Sequence, residues 1–170
     1  MTSALVDFAF SVEDDGWGDD AELEVLIARV LTAAAADLQA NEGQPFPDEP
    51  PEVSLVFADD AMVRSVNAEW RGQDKPTNVL SFPAFPIEPG DMPGPLLGDI
   101  ILARETVEKE SIDLEKPVEA HLVHLITHGF LHLFGYDHME KAEAEKMESV
   151  ETRILAALGL SDPYGEFEPE

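Results

Sequence analysis

The chain has 170 residues, ten Lys and Arg against 36 Asp and Glu, a net charge of −26 and no cysteine. This length fits one domain, residues 1–170, burying roughly 70% of its unfolded surface, enough for a core and a rigid site without disulfides. The acidity weighs against nucleic acid, whose phosphates are normally met by Lys and Arg. The lack of cysteine fits a reducing cytoplasm and limits any transition-metal site to His, Asp and Glu ligands.

The start, MTSALVDFAF, lacks a basic segment and soon meets Glu13, Asp14 and Asp15, unlike a signal peptide. No apolar run approaches the roughly 18 residues of a membrane span. A soluble, cytoplasmic protein without membrane contact is expected. Residues 4–11 read as a short strand. From Asp19, DDAELEVLIARVLTAAAADLQ has an acidic start and helical apolar spacing, and Arg29 and Asp37 within it argue against a membrane segment. NEGQPFPDEPP is a loop by its Pro, Gly and Asn content. EVSLVFA alternates as a strand, and Asp59 or Asp60 caps a helix reaching about Trp70.

TNVLSFPAF is a further strand ended by Pro83, followed by a Pro- and Gly-rich loop over residues 86–95. LLGDIILARETV reads as one buried strand with a polar end. Residues 118–134 are apolar on nearly every face, as in a core helix, and Gly135 can terminate it. A last helix spans about residues 140–158, and residues 161–170 form a loose acidic tail. The order β-α-β-α-β-β-α-α predicts an α+β domain, a small mixed sheet packed with helices.

The charge is unevenly spread. Residues 59–81 hold Asp59, Asp60, Glu69 and Asp74 against Arg64, Arg71 and Lys75, while residues 121–138 hold one acid, Asp137, and no Lys or Arg. These stretches contribute −2, leaving −24 elsewhere. Exposed charges more than about 8 Å apart are largely screened, so the acidity does not exclude an RNA partner at a near-neutral surface.

The second of these stretches contains HGFLHLFGYDH, residues 128–138. His128 and His132 lie one helical turn apart and reach one point, and a left-handed turn at Gly135 lets His138 return to it. Three neutral nitrogens bind zinc at about 2.0–2.1 Å and leave a fourth tetrahedral position open, the form of a catalytic site. Core histidines are the plainer reading for one imidazole; three at ligand spacing favour one Zn2+ per chain. His121 and His124 precede them at helical spacing and suit support of the ligands better than ligation.

The spacing matches H-E-x-x-H zinc proteases, except that Gly129 stands where those enzymes carry the glutamate acid/base. Amide hydrolysis needs that group to protonate the leaving amine. Phosphodiester cleavage needs less, a metal and a nearby cation. Arg71, at the turn after the second helix, is a candidate for the cation, although an arginine there is ordinarily a solvated helix-end charge.

Taken together, NAEWRGQDKPTNVLSFP (residues 67–83), LGDI and HGFLHLFGYDH resemble the YbeY family of bacterial ribosomal-RNA maturation factors. The resemblance runs from about Leu55 to Leu158. It implies a small α+β fold whose histidine helix lines a cleft, and a metal-dependent endoribonuclease acting on single-stranded RNA. The implied roles are 3′-end maturation of small-subunit ribosomal RNA and ribosome quality control, with the small subunit and assembly proteins as partners. It carries the zinc ligands onto His128, His132 and His138, and an essential arginine onto Arg71, making Arg71 and His128 the candidate catalytic residues. Asn78 stands where many members have Asp, which speaks against a ligand or base there. Asp99 of LGDI either faces the cleft or ends a strand, and Asp137 fits a turn or support role. Two other readings remain: a zinc protease or amidase with a base from elsewhere, and a metal-stabilised assembly factor without catalysis.

Overall fold

The computed structural model describes residues 5–160; Ala4 of the expected first strand and the expected acidic tail lie outside them. In chain order the elements are β1 (Asp7–Val12), a 3₁₀ turn (Asp15–Trp17), α1 (Asp20–Glu42), β2 (Glu52–Ala58), α2 (Asp60–Arg71), β3 (Val79–Pro83), β4 (Leu96–Ala103), α3 (Arg104–Asp113), α4 (Val118–Leu133) and α5 (Lys141–Ala157). The sheet order is β1-β2-β4-β3. β1 pairs parallel with β2 and β2 parallel with β4, while β3 runs antiparallel along β4 as an edge strand. The fold is α+β with a mixed sheet, as the sequence predicts.

β4 alternates so that Ile100 faces α4, while Asp99 and Ile101 face the other side. The main core runs along α1, α4 and α5 against β1, β2 and β4, with Ile27, Leu31, Phe57, Ile100, Leu102, Phe130 and Phe134 fully enclosed. Each such side chain contributes about 1.5–3 kcal/mol by leaving water. α1 supplies the stripe Leu23, Leu26, Ile27, Val30, Leu31, Ala34, Ala35 and Leu38. α4 is buried on most of its surface, so its polar side chains are those the fold holds at a cleft or against partners.

One expected element is wrong. The stretch LLGDIILARETV is not a single strand: β4 stops at Ala103 and α3 begins at the next residue. No side chain of its own caps α3. Its first turn is capped from α2, where Asp60 accepts from the backbone N–H of Thr106 at 3.1 Å and from its hydroxyl at 2.9 Å. Glu105 returns the favour by accepting from the Asp60 N–H at 2.8 Å. The two helix N-termini thus cap one another in part, each lending a carboxylate to one backbone N–H of the other.

α5 is fastened to α1 by an ion cluster. Arg153 meets both oxygens of Asp37 at 2.6–3.0 Å and Glu42 at 2.8 Å, and Lys146 meets Glu42 at 2.6 Å. Burial works to raise the Glu42 carboxyl, but its hydrogen bonds to Lys146 and Arg153 outweigh this and hold it below its ordinary value. This clamp sets where α5 lies over α4, and with it the placement of Glu151.

Candidate metal centre and its cleft

His121, His124, His128 and His132 form a polar stripe on the otherwise apolar α4. The i, i+4 spacing brings the rings of His128 and His132 to 4.6 Å between centroids, nearly perpendicular at 80°, with their Nε2 atoms 3.1 Å apart. The helix then ends in a Schellman turn, Gly135 N–H to His132 O at 3.0 Å and Tyr136 N–H to Leu131 O at 3.2 Å. Gly135 has φ +96°, and a Cβ there would run into the Ile87 carbonyl and Glu88, so no other residue suits this turn.

The turn returns the chain so that the His138 ring lies 5.6 Å from that of His128 and 5.2 Å from that of His132. Asp137 accepts from the His138 backbone N–H at 2.7 Å, a turn role. One nitrogen from each of His128, His132 and His138 lies within 4.8 Å of the other two, close enough to hold one metal ion. Burial first, then the neighbouring His128 and His138, lowers the pKa of His132 to about 4. Its ring is therefore neutral near pH 7, with a lone pair to offer.

Sequence reasoning missed Glu151. Its side chain is wholly enclosed, and Oε2 lies 2.8 Å from His128 Nδ1 and 3.5 Å from His124 Nε2. A signal was present: Glu151 falls among Met147, Val150, Ile154 and Leu155 on the buried face of α5, and a carboxylate on such a stripe needs a partner. His124 thus belongs to Glu151 rather than to the three converging nitrogens. His121 lies farther up the helix, buried, with Nε2 2.8 Å from Glu110; burial lowers its pKa, partly opposed by Glu110.

Gly129 faces the sheet. A Cβ there would sit 3.1 Å from Ser81 Oγ and 3.2 Å from Ile100 Cγ2, so the position has room for a hydrogen but little more. Ser81 uses that proximity, its hydroxyl donating to the Gly129 carbonyl at 3.0 Å. The Ser81 carbonyl in turn accepts from Arg71 at 2.7 Å, and the guanidinium carbon stands 5.0 Å from the Phe82 ring centroid. Arg71 is thereby drawn from the end of α2 onto edge strand β3.

A cleft of about 610 Å³ results, bordered by Arg71, Asn78, Ser81, His128, His132 and His138 among others. Asn78 accepts from the Val79 N–H at 2.7 Å and donates to Glu110 at 3.0 Å, which ties its side chain to the protein. Asp99 does not border this cleft. It lies on the opposite face of the sheet, beside a groove of about 470 Å³ with Val56, Val66, Trp70, Phe82 and Ile101.

Three histidines and an arginine thus border one cleft, and comparison with known proteins places the chain in a family. The family described as Endoribonuclease YbeY matches residues 11–159. Among curated relatives carrying that name, the protein of Sinorhizobium fredii is 64% identical over 161 residues, 95% of this chain and 93% of its own length. That of Allorhizobium ampelinum is 65% identical over 159 residues, 94% and 95% of the two chains, and that of Agrobacterium fabrum 61% over 166 residues, 98% and 99%. The solution structure of TM1509 from Thermotoga maritima shares the fold, with a TM-score of 0.54 at 22% identity, covering 92% of this chain and 97% of that one. With a family match over most of its length and relatives above 60% identity across nearly the whole of it, the chain belongs to the endoribonuclease YbeY family.

Proposed function

We propose that this chain is a zinc-dependent endoribonuclease specific for single-stranded RNA. Its proposed cellular role is 3′-end maturation of small-subunit ribosomal RNA and ribosome quality control in the cytoplasm, with ribosome-assembly proteins as partners. The observation that carries the reading is the meeting of Arg71 with His128, His132 and His138 at one cleft. No helix among the described residues is long and apolar enough to cross a membrane.

The donor set suits zinc. Three nitrogens about 2.0–2.1 Å from a tetrahedral ion stand about 3.3 Å apart. The Nε2 atoms of His128 and His132 are already 3.1 Å apart, and the His138 nitrogen, within 4.8 Å of both, would close the set around the ion. When bound, zinc supplies a Lewis acid for a phosphoryl oxygen and lowers the pKa of a water. The chain's own part is positioning and charge. His128, His132 and His138 present neutral nitrogens from one side. Arg71, steadied by the Ser81 carbonyl, keeps further N–H donors for phosphate oxygens in the same cleft. A donor of this kind is worth about 2.7–4 kcal/mol to a charged transition state.

A protease reading requires an acid/base beside the ligands. The position following His128 is a glycine that supplies no such group, and a Cβ there would already press on Ser81 and Ile100 at 3.1 and 3.2 Å. The test is to incubate metal-loaded protein with single-stranded RNA, double-stranded RNA and casein, with and without chelator. Chelator-sensitive cleavage of single-stranded RNA alone is expected. Casein hydrolysis, or no cleavage of any substrate, would overturn the reading.

A further inference from the structure

We infer that Glu151 is the positioning carboxylate of the histidine centre, fixing the tautomer of His128, and that His124 holds this carboxylate and is not a metal ligand. The inference rests on the proposed zinc centre. A neutral imidazole carries one N–H and one lone pair, and a carboxylate only accepts. With Glu151 Oε2 at 2.8 Å from His128 Nδ1, the hydrogen resides on Nδ1. Nε2 is then bare, and it is this nitrogen that lies 3.1 Å from His132 Nε2 on the converging side.

The same oxygen of Glu151 is 3.5 Å from His124 Nε2, and the His124 ring lies 6.4 Å from that of His128, facing the carboxylate. Glu151 has no exposed side-chain surface. Removing such a group from water costs several kcal/mol unless it is met by donors, and two imidazoles of one helix lie beside its Oε2. The geometry is that of a carboxylate-histidine-metal arrangement, in which the outer carboxylate orients the ring and raises its basicity. The carboxylate comes from α5, which the Arg153 clamp holds against α1. A merely structural Glu151 would pin α5 to α4 and do nothing for metal affinity.

The apo form of the full chain is titrated with zinc(II) against a chromogenic chelator, for wild type, Glu151→Gln and His124→Ala, with the melting temperature of each apo protein recorded. Glu151→Gln keeps shape and loses charge. It is expected to weaken zinc binding roughly 10–100-fold while its apo protein still melts cooperatively. His124→Ala is expected to keep one zinc per chain. Unchanged affinity in a folded Glu151→Gln protein would overturn the positioning role, and loss of the bound zinc in a folded His124→Ala would make His124 a ligand. Should either variant fail to fold, nitrogen-15 chemical shifts of the wild-type apo protein read the tautomer directly: Nδ1–H at His128 is expected, and Nε2–H would overturn the inference. A wild type that binds no zinc defeats the zinc centre itself, an outcome distinct from wild type and Glu151→Gln binding zinc equally.

Discussion

The hydroxyl of Ser81 donates a 3.0 Å hydrogen bond to the carbonyl oxygen of Gly129. Through this contact, edge strand β3 touches the histidine helix between His128 and His132. Because the Ser81 carbonyl also receives Arg71, one residue holds both sides of the cleft in register. The glycine is what allows the approach. Nothing larger fits between α4 and the sheet without displacement.

Gly129→Glu should therefore not restore a protease. The new Cβ would press on Ser81 and Ile100 at 3.1 and 3.2 Å in a buried, sheet-facing position. Overpacking and unpaired burial together should cost about 3 kcal/mol or more. Thermal or urea unfolding of zinc-free protein checks this. A variant as stable as wild type would show that the helix can leave the sheet at little cost.

The ion clamp between α5 and α1 predicts a pH effect. The Glu42 carboxyl is held below its ordinary value when folded, so its stabilisation is fully present above about pH 4.5, the unfolded range. It is lost as pH falls through the lower folded value. Arg153→Ala should cost about 1 kcal/mol near pH 7, given that Arg153 is partly exposed, and the difference from wild type should shrink as the solution is acidified below that range. Unfolding midpoints across pH 3–7 in both proteins measure it; a constant difference would contradict the assignment.

Much of the centre is legible in the sequence because it is local. His128, His132, Gly135 and His138 are related by one helical turn and one turn motif, whose geometry follows from spacing alone. What is not legible depends on distant chain segments. α3 starts straight from β4 with no capping residue of its own, since its caps are supplied by Asp60 on α2. Glu151 meets His128 only because α5 packs across α4, and no spacing encodes that. Period-two alternation separates Asp99 from Ile100 but does not say which face α4 covers. That choice puts Asp99 on the side away from the cleft.

The charge distribution bears on RNA affinity. Among the described residues bordering the cleft, Arg71 is the one Lys or Arg and Asp137 the one acid, on a chain of net charge −26. Binding of a single strand should therefore depend weakly on salt. With one to three phosphates neutralised, log K against log salt should have a slope of about −0.7 to −2. Filter binding between low and moderate salt measures it. A slope of about −4, equivalent to six phosphates, would mean that RNA meets a basic surface elsewhere.

The account stands most directly on Arg71, tested by measuring bound zinc and single-stranded RNA cleavage on the same preparations of wild type, Arg71→Ala and Arg71→Lys. Arg71 reaches the cleft through the Ser81 carbonyl and touches none of the three histidines in the hydrogen bonds it makes. Both variants should keep close to one zinc per chain. Arg71→Ala should lose roughly 10²–10³ in cleavage rate, and Arg71→Lys should recover little of it, because an ammonium cannot reproduce the planar fork of donors. Zinc-loaded Arg71→Ala that cleaves RNA at the wild-type rate would remove the arginine from the chemistry and contradict the account.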